Sequence, residues 1–335
     1  MLKVGVIGIG MMGSTHLDAY AKLKGVKVTA VADLIRERRE GRAVAAGNVK
    51  GQSQGGVDFA PFRKYDEGMK LIADLELDIV DICLPTPLHA KYAIAALKAG
   101  KHVLTEKPFA LDGKTADQLA AAAKTAKTLL MCAMCMRFWP AWAWLKDAVD
   151  KKTFGKVLAA QFRRVTSHPG GPFYSDGDAC GGAILDLHIH DTDFIQYCFG
   201  MPSGVFSRGY AKDTTRIDHV VTHYLYPQIP LVTAEGGWAM TPGFGFQMQY
   251  TVNFEQATAV FDLGATDQLK VIQNGKTKAV KVKAGMGYQH EIAYFVECIK
   301  NGKRPQVVEP ASAARSVKIV EAEVKSIKTG KLVAV

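Results

Sequence analysis

Up to about residue 137, short runs of apolar residues alternate with longer segments whose apolar positions recur every three or four residues. Val4, Val6 and Ile7 form the first short run, and 28–32, 79–84, 102–105 and 129–136 repeat the pattern. A shorter run at 57–62 is interrupted by Pro61. Continuous apolar runs of this length predict buried parallel strands. The segments between them predict helices over 14–23, 34–46, 66–75, 88–99 and 113–126, with 47–56 as loop. Strand and helix in strict alternation, joined by short connections, specify a doubly wound parallel sheet.

Beyond that point the rhythm changes. A short helical passage at 141–149 precedes a strand at 156–165, an irregular loop reaching 182 and a helix over 183–199. Several strands then follow without intervening helices. Phe246, Met248, Tyr250, Val252 and Phe254 alternate with Gln247, Gln249, Thr251 and Asn253, the signature of a strand with one buried face. Asn274-Gly275 predicts a hairpin turn between 269–273 and 277–283. Helices at 288–300 and 311–328 end the chain. The expected architecture is α/β: an N-terminal Rossmann-type doubly wound sheet over 1–137, then an α+β domain over 138–335 with an open, mainly antiparallel sheet.

The first strand leads directly into Gly8-Ile9-Gly10-Met11-Met12-Gly13, the spacing of a dinucleotide-binding turn. In such a turn Gly8 permits the tight bend, Gly10 lets backbone approach a pyrophosphate, and Gly13 lets helix and strand pack closely. The second strand ends in Asp33, 20 residues beyond Gly13, where a ribose-binding acid is expected. Strand, helix and acid together separate this turn from an incidental glycine cluster. An aspartate that accepts hydrogen bonds from both ribose hydroxyls repels a 2′-phosphate, so NAD is the expected cofactor. NADP is kept as the alternative, because a rotated guanidinium of Arg36, Arg38 or Arg39 could hold that phosphate.

Composition narrows the setting. At 335 residues, 48% of them hydrophobic and 22% charged, the chain is long for one core. Its net charge is +10, yet no block of Lys or Arg points to nucleic acid, and no apolar run reaches membrane-span length. Met1-Leu2-Lys3 runs directly into the first strand, which leaves no room for a signal peptide, and the expected location is the cytoplasm. The six cysteines are read as reduced thiols, and Cys132-x-x-Cys135 as core rather than a metal site. Trp139, Trp142 and Trp144 are read as packing between the domains.

Three segments together carry a resemblance. With the glycine turn, 83–89 (Cys-Leu-Pro-Thr-Pro-Leu-His) and 100–108 (Gly-Lys-His-Val-Leu-Thr-Glu-Lys-Pro), the chain resembles the Gfo/Idh/MocA oxidoreductases. These include glucose–fructose oxidoreductase and inositol dehydrogenases. In that family the Glu-Lys-Pro lysine, matched by Lys107, lies near nicotinamide and substrate, often before a cis proline. The cofactor candidates are Gly8, Ile9, Gly10, Met11, Met12, Gly13 and Asp33, joined through the resemblance by Leu84, Pro85, Thr86, His89, Glu106 and Lys107.

A second constellation lies in Asp186-Leu-His188-Ile-His190-Asp-Thr-Asp193. On a regular helix, Asp186, His190, Asp193 and Tyr197 fall within an arc of roughly 60°, one polar stripe among apolar positions. A metal site is disfavoured, because His188 and His190 point about 200° apart on a helix. A stripe whose members satisfy one another is the plain alternative. The resemblance reaches this segment too, its Asp-x-x-x-His pair mapping onto Asp186 and His190.

The resemblance implies oxidation of a secondary alcohol on a sugar or cyclitol. His190 is the candidate general base, Asp186 its orienting partner, and Lys107 the stabiliser of the developing alkoxide. Arg137, His168 and Asp193 are further candidates for substrate contact, and a homodimer or homotetramer is expected. Pro87, where Asn is common in the family, and Leu187 leave the substrate open. A non-catalytic nucleotide-binding sensor of the same fold is the second reading. A metal-dependent hydrolase or lyase is the third, and it leaves the glycine turn unexplained.

Overall fold

The computed structural model describes residues 1–43 and 56–335. The chain forms two compact units, one of residues 1–135 and 286–314, the other of 136–285 and 315–335. The sequence reading had assigned everything after 137 to the second.

The first unit opens with β1 (Leu2–Ile7), α1 (Met11–Ala21) and β2 (Val26–Ala32). These lead through α2 (Arg36–Arg39), β3 (Arg63–Tyr65), α3 (Gly68–Ile72) and β4 (Ile79–Ile82) to a 3₁₀ turn at Thr86–Leu88. Then come α4 (His89–Lys98), β5 (His102–Glu106), α5 (Gly113–Thr125) and β6 (Leu130–Ala133). The six strands are parallel in the order β3-β2-β1-β4-β5-β6. β4 and β6 are buried at every position, which is why they read as unbroken apolar runs. The strand order reverses between β1 and β4, and ligands of open α/β sheets bind outside the carboxyl ends of the strands at such a point.

Two expectations here are corrected. The helix expected over 34–46 is only α2, and residues 44–46 lie outside the described residues. Gly41, at φ +73°, ends it in a Schellman arrangement, with Gly41 N–H donating to the Arg38 carbonyl and Arg42 N–H to that of Glu37. The strand expected at 57–62 is loop and turn, Phe62 N–H bonding back to the Phe59 carbonyl. Pro61, with no N–H to give a ladder, falls in that turn, and the pairing begins at Arg63. The loop expected at 47–56 lies outside the described residues apart from Gly56.

The second unit starts with a 3₁₀ turn at Cys135–Phe138, α6 (Pro140–Asp150) and β7 (Val157–Ser167). Four helical pieces follow: α7 (Pro172–Ser175), α8 (Gly177–Cys180), α9 (Gly182–Asp186) and α10 (Ile189–Phe199). The strands β8 (Gly204–Tyr210), β9 (His219–Tyr226), β10 (Ile229–Met240), β11 (Gln247–Phe254), β12 (Thr258–Asp262), β13 (Leu269–Gln273) and β14 (Lys276–Ala279) come next. The chain closes with α11 (Gly287–Lys300), α12 (Pro310–Thr329) and β15 (Val333–Ala334). α11 belongs to the first unit, where it packs along α1, and the boundary between units falls within α12.

The second sheet runs β14-β13-β12-β11-β7-β10-β9-β8-β15 and is antiparallel except where β7 meets β10. β11 shows the alternation read from its sequence, with Met248, Tyr250, Val252 and Phe254 buried. Asn274 and Gly275 both have positive φ, as a type I′ hairpin requires. Trp142, expected between domains, instead centres this unit's core, its ring 4.8 Å from that of Phe194, 5.4 Å from Tyr250 and 5.5 Å from Phe162. Trp144 packs on Phe154 of the same unit.

The helix expected over 183–199 is broken. The Ala183 carbonyl accepts from both Leu187 and His188 N–H, so the ladder slips to a five-residue spacing and restarts as α10. Asp186 therefore ends one helix and His190 begins another, and the 100° rule does not carry across. Among the described residues no helix is long and apolar enough to cross a membrane, and all six cysteines are free thiols.

Candidate active site

The turn after β1 is shaped by its glycines. A Cβ on Gly13 would lie 1.9 Å from the Gly8 carbonyl oxygen, and one on Gly8, at φ +90°, 2.4 Å from that of Cys83. Gly10 is different: the nearest atom to a Cβ there, Arg38 Nη1, is 4.0 Å away, so its backbone is open to approach. Gly10 also caps α1 without any side-chain hydrogen bond, leaving the first N–H groups of the helix for a ligand. Tight packing beneath, open backbone above and an uncapped helix start fit a dinucleotide pyrophosphate. Ile9, Met11 and Met12 fill the intervening positions.

Asp33 is fixed against this turn. Its Oδ2 accepts from Ile9 N–H at 2.7 Å and its Oδ1 from Ile35 N–H at 2.8 Å. Of the three neighbouring arginines, Arg36 pairs with Glu40 at 2.7 Å, and Arg39 donates to the Asp33 and Leu34 carbonyls. Arg38 reaches toward the glycine turn, its Nη1 4.0 Å from where a Cβ on Gly10 would stand.

Lys107 follows β5 and is half-buried, and its bond to Pro108 is cis. The residues around it point inward. Glu106 Oε2 accepts from Lys107 N–H at 3.0 Å, and its Oε1 lies 3.0 Å from His16 Nε2 on α1. The other ring nitrogen of His16 is 2.8 Å from Asp81 Oδ2 on β4. Asp81 and Glu106 place a carboxylate at each ring nitrogen of His16, which favours its protonated form. Burial pulls its pKa down, but Asp81 and Cys83 more than offset this and hold it well above the usual value. Glu106 feels burial in the opposite sense, yet the bond from His16 leaves its carboxyl below the usual range. Glu291 of α11 is fully buried beside this group with neither oxygen hydrogen-bonded, and burial followed by Glu106 pushes its pKa well up. Both effects favour its neutral form.

His89 is bound just as closely. Nδ1 lies 2.8 Å from the Pro108 carbonyl and Nε2 2.7 Å from the Leu84 carbonyl. Burial lowers its pKa, and the Pro108 and Leu84 carbonyls oppose that in part. Thr86 is also buried. The polar groups of Glu106 and His89, two of the expected cofactor residues, thus have partners within the protein. Leu84 and Pro85 shape the turn after β4.

In the second unit Asp186 is buried and His190 half-buried. Arg137 and Asp193, expected at the substrate, hold each other: Nε to Oδ2 is 2.8 Å and Nη2 to Oδ1 2.6 Å. Ser316 Oγ donates to Asp193 Oδ1 at 2.6 Å, and the Arg137 guanidinium sits 4.7 Å from the Tyr197 ring centre. His168 is engaged at both ring nitrogens: Nε2–H donates to the Tyr174 carbonyl at 3.2 Å, and Nδ1 accepts from Gly170 N–H at 3.1 Å. His188 is wholly buried, with Nε2 3.1 Å from Tyr224 Oη and 3.6 Å from Glu323.

The first unit thus brings together the glycine turn, Asp33, the Leu84 turn and Lys107; the second holds Asp186, His190, Arg137, Asp193 and His168. The sequence reading missed His16 and Asp81. Their signals were a histidine three residues past Gly13 and a charge inside an otherwise apolar strand.

Residues 2–134 match the oxidoreductase family with an NAD-binding Rossmann fold, and residues 142–260 match the GFO/IDH/MocA C-terminal domain. The chain belongs to the Gfo/Idh/MocA family. Its relatives include a myo-inositol 2-dehydrogenase of Thermotoga maritima, 30% identical over 59% of this chain and 55% of that protein. A levoglucosan dehydrogenase of Pseudarthrobacter phenanthrenivorans is 30% identical over 61% and 53%. These two matches span about half the length of those relatives. An inositol 2-dehydrogenase of Rhodococcus jostii is 26% identical over 100% of this chain and 92% of that protein. A solved levoglucosan dehydrogenase complex with NADH and levoglucosan shares the fold at TM-score 0.85 and 22% identity, covering 100% and 99% of the two chains.

Proposed function

We propose that this family member is an NAD-dependent dehydrogenase acting on a secondary alcohol of a sugar or cyclitol. The observation that carries the reading is in the first unit. Ile7, Ile82 and Thr105 are in register across β1, β4 and β5, so the glycine turn and Lys107 leave the same edge of one parallel sheet. A cation at that edge, where ligands of open α/β sheets bind, supports reading Lys107 as a group beside both dinucleotide and alcohol. Two relatives named for inositol and levoglucosan support the substrate class.

A bound nicotinamide supplies the hydride acceptor. Binding and proton transfer fall to the chain's own residues. Asp33 accepts from ribose hydroxyls, favouring NAD, and Arg38 beside Gly10 is the group a 2′-phosphate would need. His190 takes the hydroxyl proton, Asp186 stabilises the resulting imidazolium, and the Lys107 ammonium balances charge building on the alkoxide. Arg137 and Asp193 serve as framework for α10. Six free thiols fit a reducing cytoplasm.

The outward face of the second sheet supports assembly into dimers or tetramers. Phe206, Val221 and Leu231, on adjacent strands, are 39%, 46% and 44% exposed, and such faces mark association sites.

The test is a panel of sugars, cyclitols and sugar acids with NAD and with NADP, followed by the formation of reduced cofactor. Turnover of a cyclic polyol with NAD is expected. Tight NADH binding without turnover of any member would leave the sensor reading in its place. Light scattering across micromolar concentrations checks the assembly, and a monomer throughout contradicts it.

A further inference from the structure

The segment Glu106-Lys107-Pro108 is gripped on both sides of the lysine by a buried imidazole. Ahead of Lys107, His16 reaches Glu106 at 3.0 Å and Asp81 at 2.8 Å, while Glu106 takes the Lys107 N–H. Behind it, His89 lies 2.8 Å from the Pro108 carbonyl and 2.7 Å from the Leu84 carbonyl. Neither ring is more than 1% exposed. His16 rides on α1, whose start is the glycine turn, and His89 on α4, which follows the Leu84 turn. His16 thus links Glu106 to the helix of the glycine turn, and His89 lies between the Pro108 and Leu84 carbonyls, donating to one of them when neutral and to both when protonated. A core held together by apolar packing alone needs no such polar bridges, and an unpaired buried carboxylate at Glu106 or Asp81 would be costly.

We propose that His16 and His89 are positioning residues for Lys107, holding its backbone in register with the two turns at the sheet edge. The proposal rests on the reading of Lys107 given above. The ring nitrogens of both histidines face protein oxygens. Their effect on turnover passes through where Lys107 stands, and displacements of an ångström in an active site commonly cost about a hundredfold in rate.

The experiment uses the full chain saturated with NADH and substitutes His16→Gln and His89→Gln separately. Competitive acylation with acetic anhydride, read by mass spectrometry, reports the exposure and ionisation of the Lys107 amine, with Lys27 on β2 as internal control. Each variant should raise the Lys107 rate by at least about threefold and leave Lys27 unchanged. On the best substrate, kcat should fall by about ten- to a hundredfold while the KM for NAD stays within about threefold. In a Lys107→Ala background the same substitutions should cost little further turnover. An unchanged or lowered Lys107 labelling rate in both folded variants overturns the proposal. So do kcat losses that multiply fully in the Lys107→Ala background. If either glutamine variant fails to fold, Glu106→Gln keeps the side chain's size and its bond from Lys107 N–H while neutralising the pair with His16, and it is read the same way. Should Lys107→Ala leave turnover intact, the catalytic reading of the lysine fails, and the labelling result still decides the positioning.

Discussion

Asp193 grips Arg137 through two parallel bonds of 2.6 and 2.8 Å, and both side chains are only 1% exposed. Paired forks of this kind are among the stronger polar contacts. Taking one partner away strands the other charge in the core, so Arg137→Ala should destabilise the chain by about 3–5 kcal/mol. Urea unfolding followed by tryptophan fluorescence measures this. A variant of normal stability that had lost only substrate affinity would return Arg137 to the substrate site.

His190 lies in the first turn of α10 and is the candidate base. General base groups contribute about 10² to 10⁴ in rate. His190→Ala should therefore lower turnover by at least about a hundredfold, with NADH affinity nearly unchanged because the glycine turn and Asp33 belong to the first unit. Near-normal turnover in steady-state assays would hand the segment back to the plain structural reading.

Gly13 tolerates no side chain, since a Cβ would overlap the Gly8 carbonyl at 1.9 Å. Both atoms are on or next to backbone, so relief requires α1 to move off β1. Gly13→Ala should cost about 1–3 kcal/mol of stability and weaken NADH binding by about tenfold or more. Fluorescence titration of NADH checks it, and unaltered binding would mean that the turn does not hold the dinucleotide.

His16 also makes stability depend on pH. Its pKa in the folded chain lies well above the ordinary 6.5. A raised pKa stabilises fully below the unfolded value, and the gain drains away as pH climbs through the folded one. The difference in melting temperature between wild type and His16→Gln should accordingly be widest below about pH 6.5 and narrow as pH rises beyond it. A gap that grows with pH would show that the ring is neutral in the folded protein.

Local pattern was enough for the strands of the first sheet, the glycine turn and the Asn274-Gly275 hairpin, because neighbouring residues decide each of them. The break before α10 was not legible in the same way. It depends on one carbonyl, Ala183, taking two donors, next to a buried His188 whose partners Tyr224 and Glu323 lie far along the chain. The same holds for Asp193, whose carboxylate takes its bonds from Arg137 and Ser316, both far away in sequence. Periodicity identifies which face a residue occupies on a regular element. It is silent about which distant side chain arrives there first.

The first unit breaks off at residue 135 and resumes only at 286–314, while the second takes 136–285 and 315–335, so the two units alternate along the chain. On the ribosome the six parallel strands emerge early, yet α11, which lies along α1, emerges last but one among the helices. The second unit is likewise incomplete until 315–335 appear. Neither unit can close before its distant second segment, 286–314 or 315–335, has been made, and domains that close late leave apolar surface open to aggregation meanwhile. Order of synthesis and order of assembly are thus opposed in this chain, and the nascent polypeptide, more than the finished one, is where chaperones would be needed.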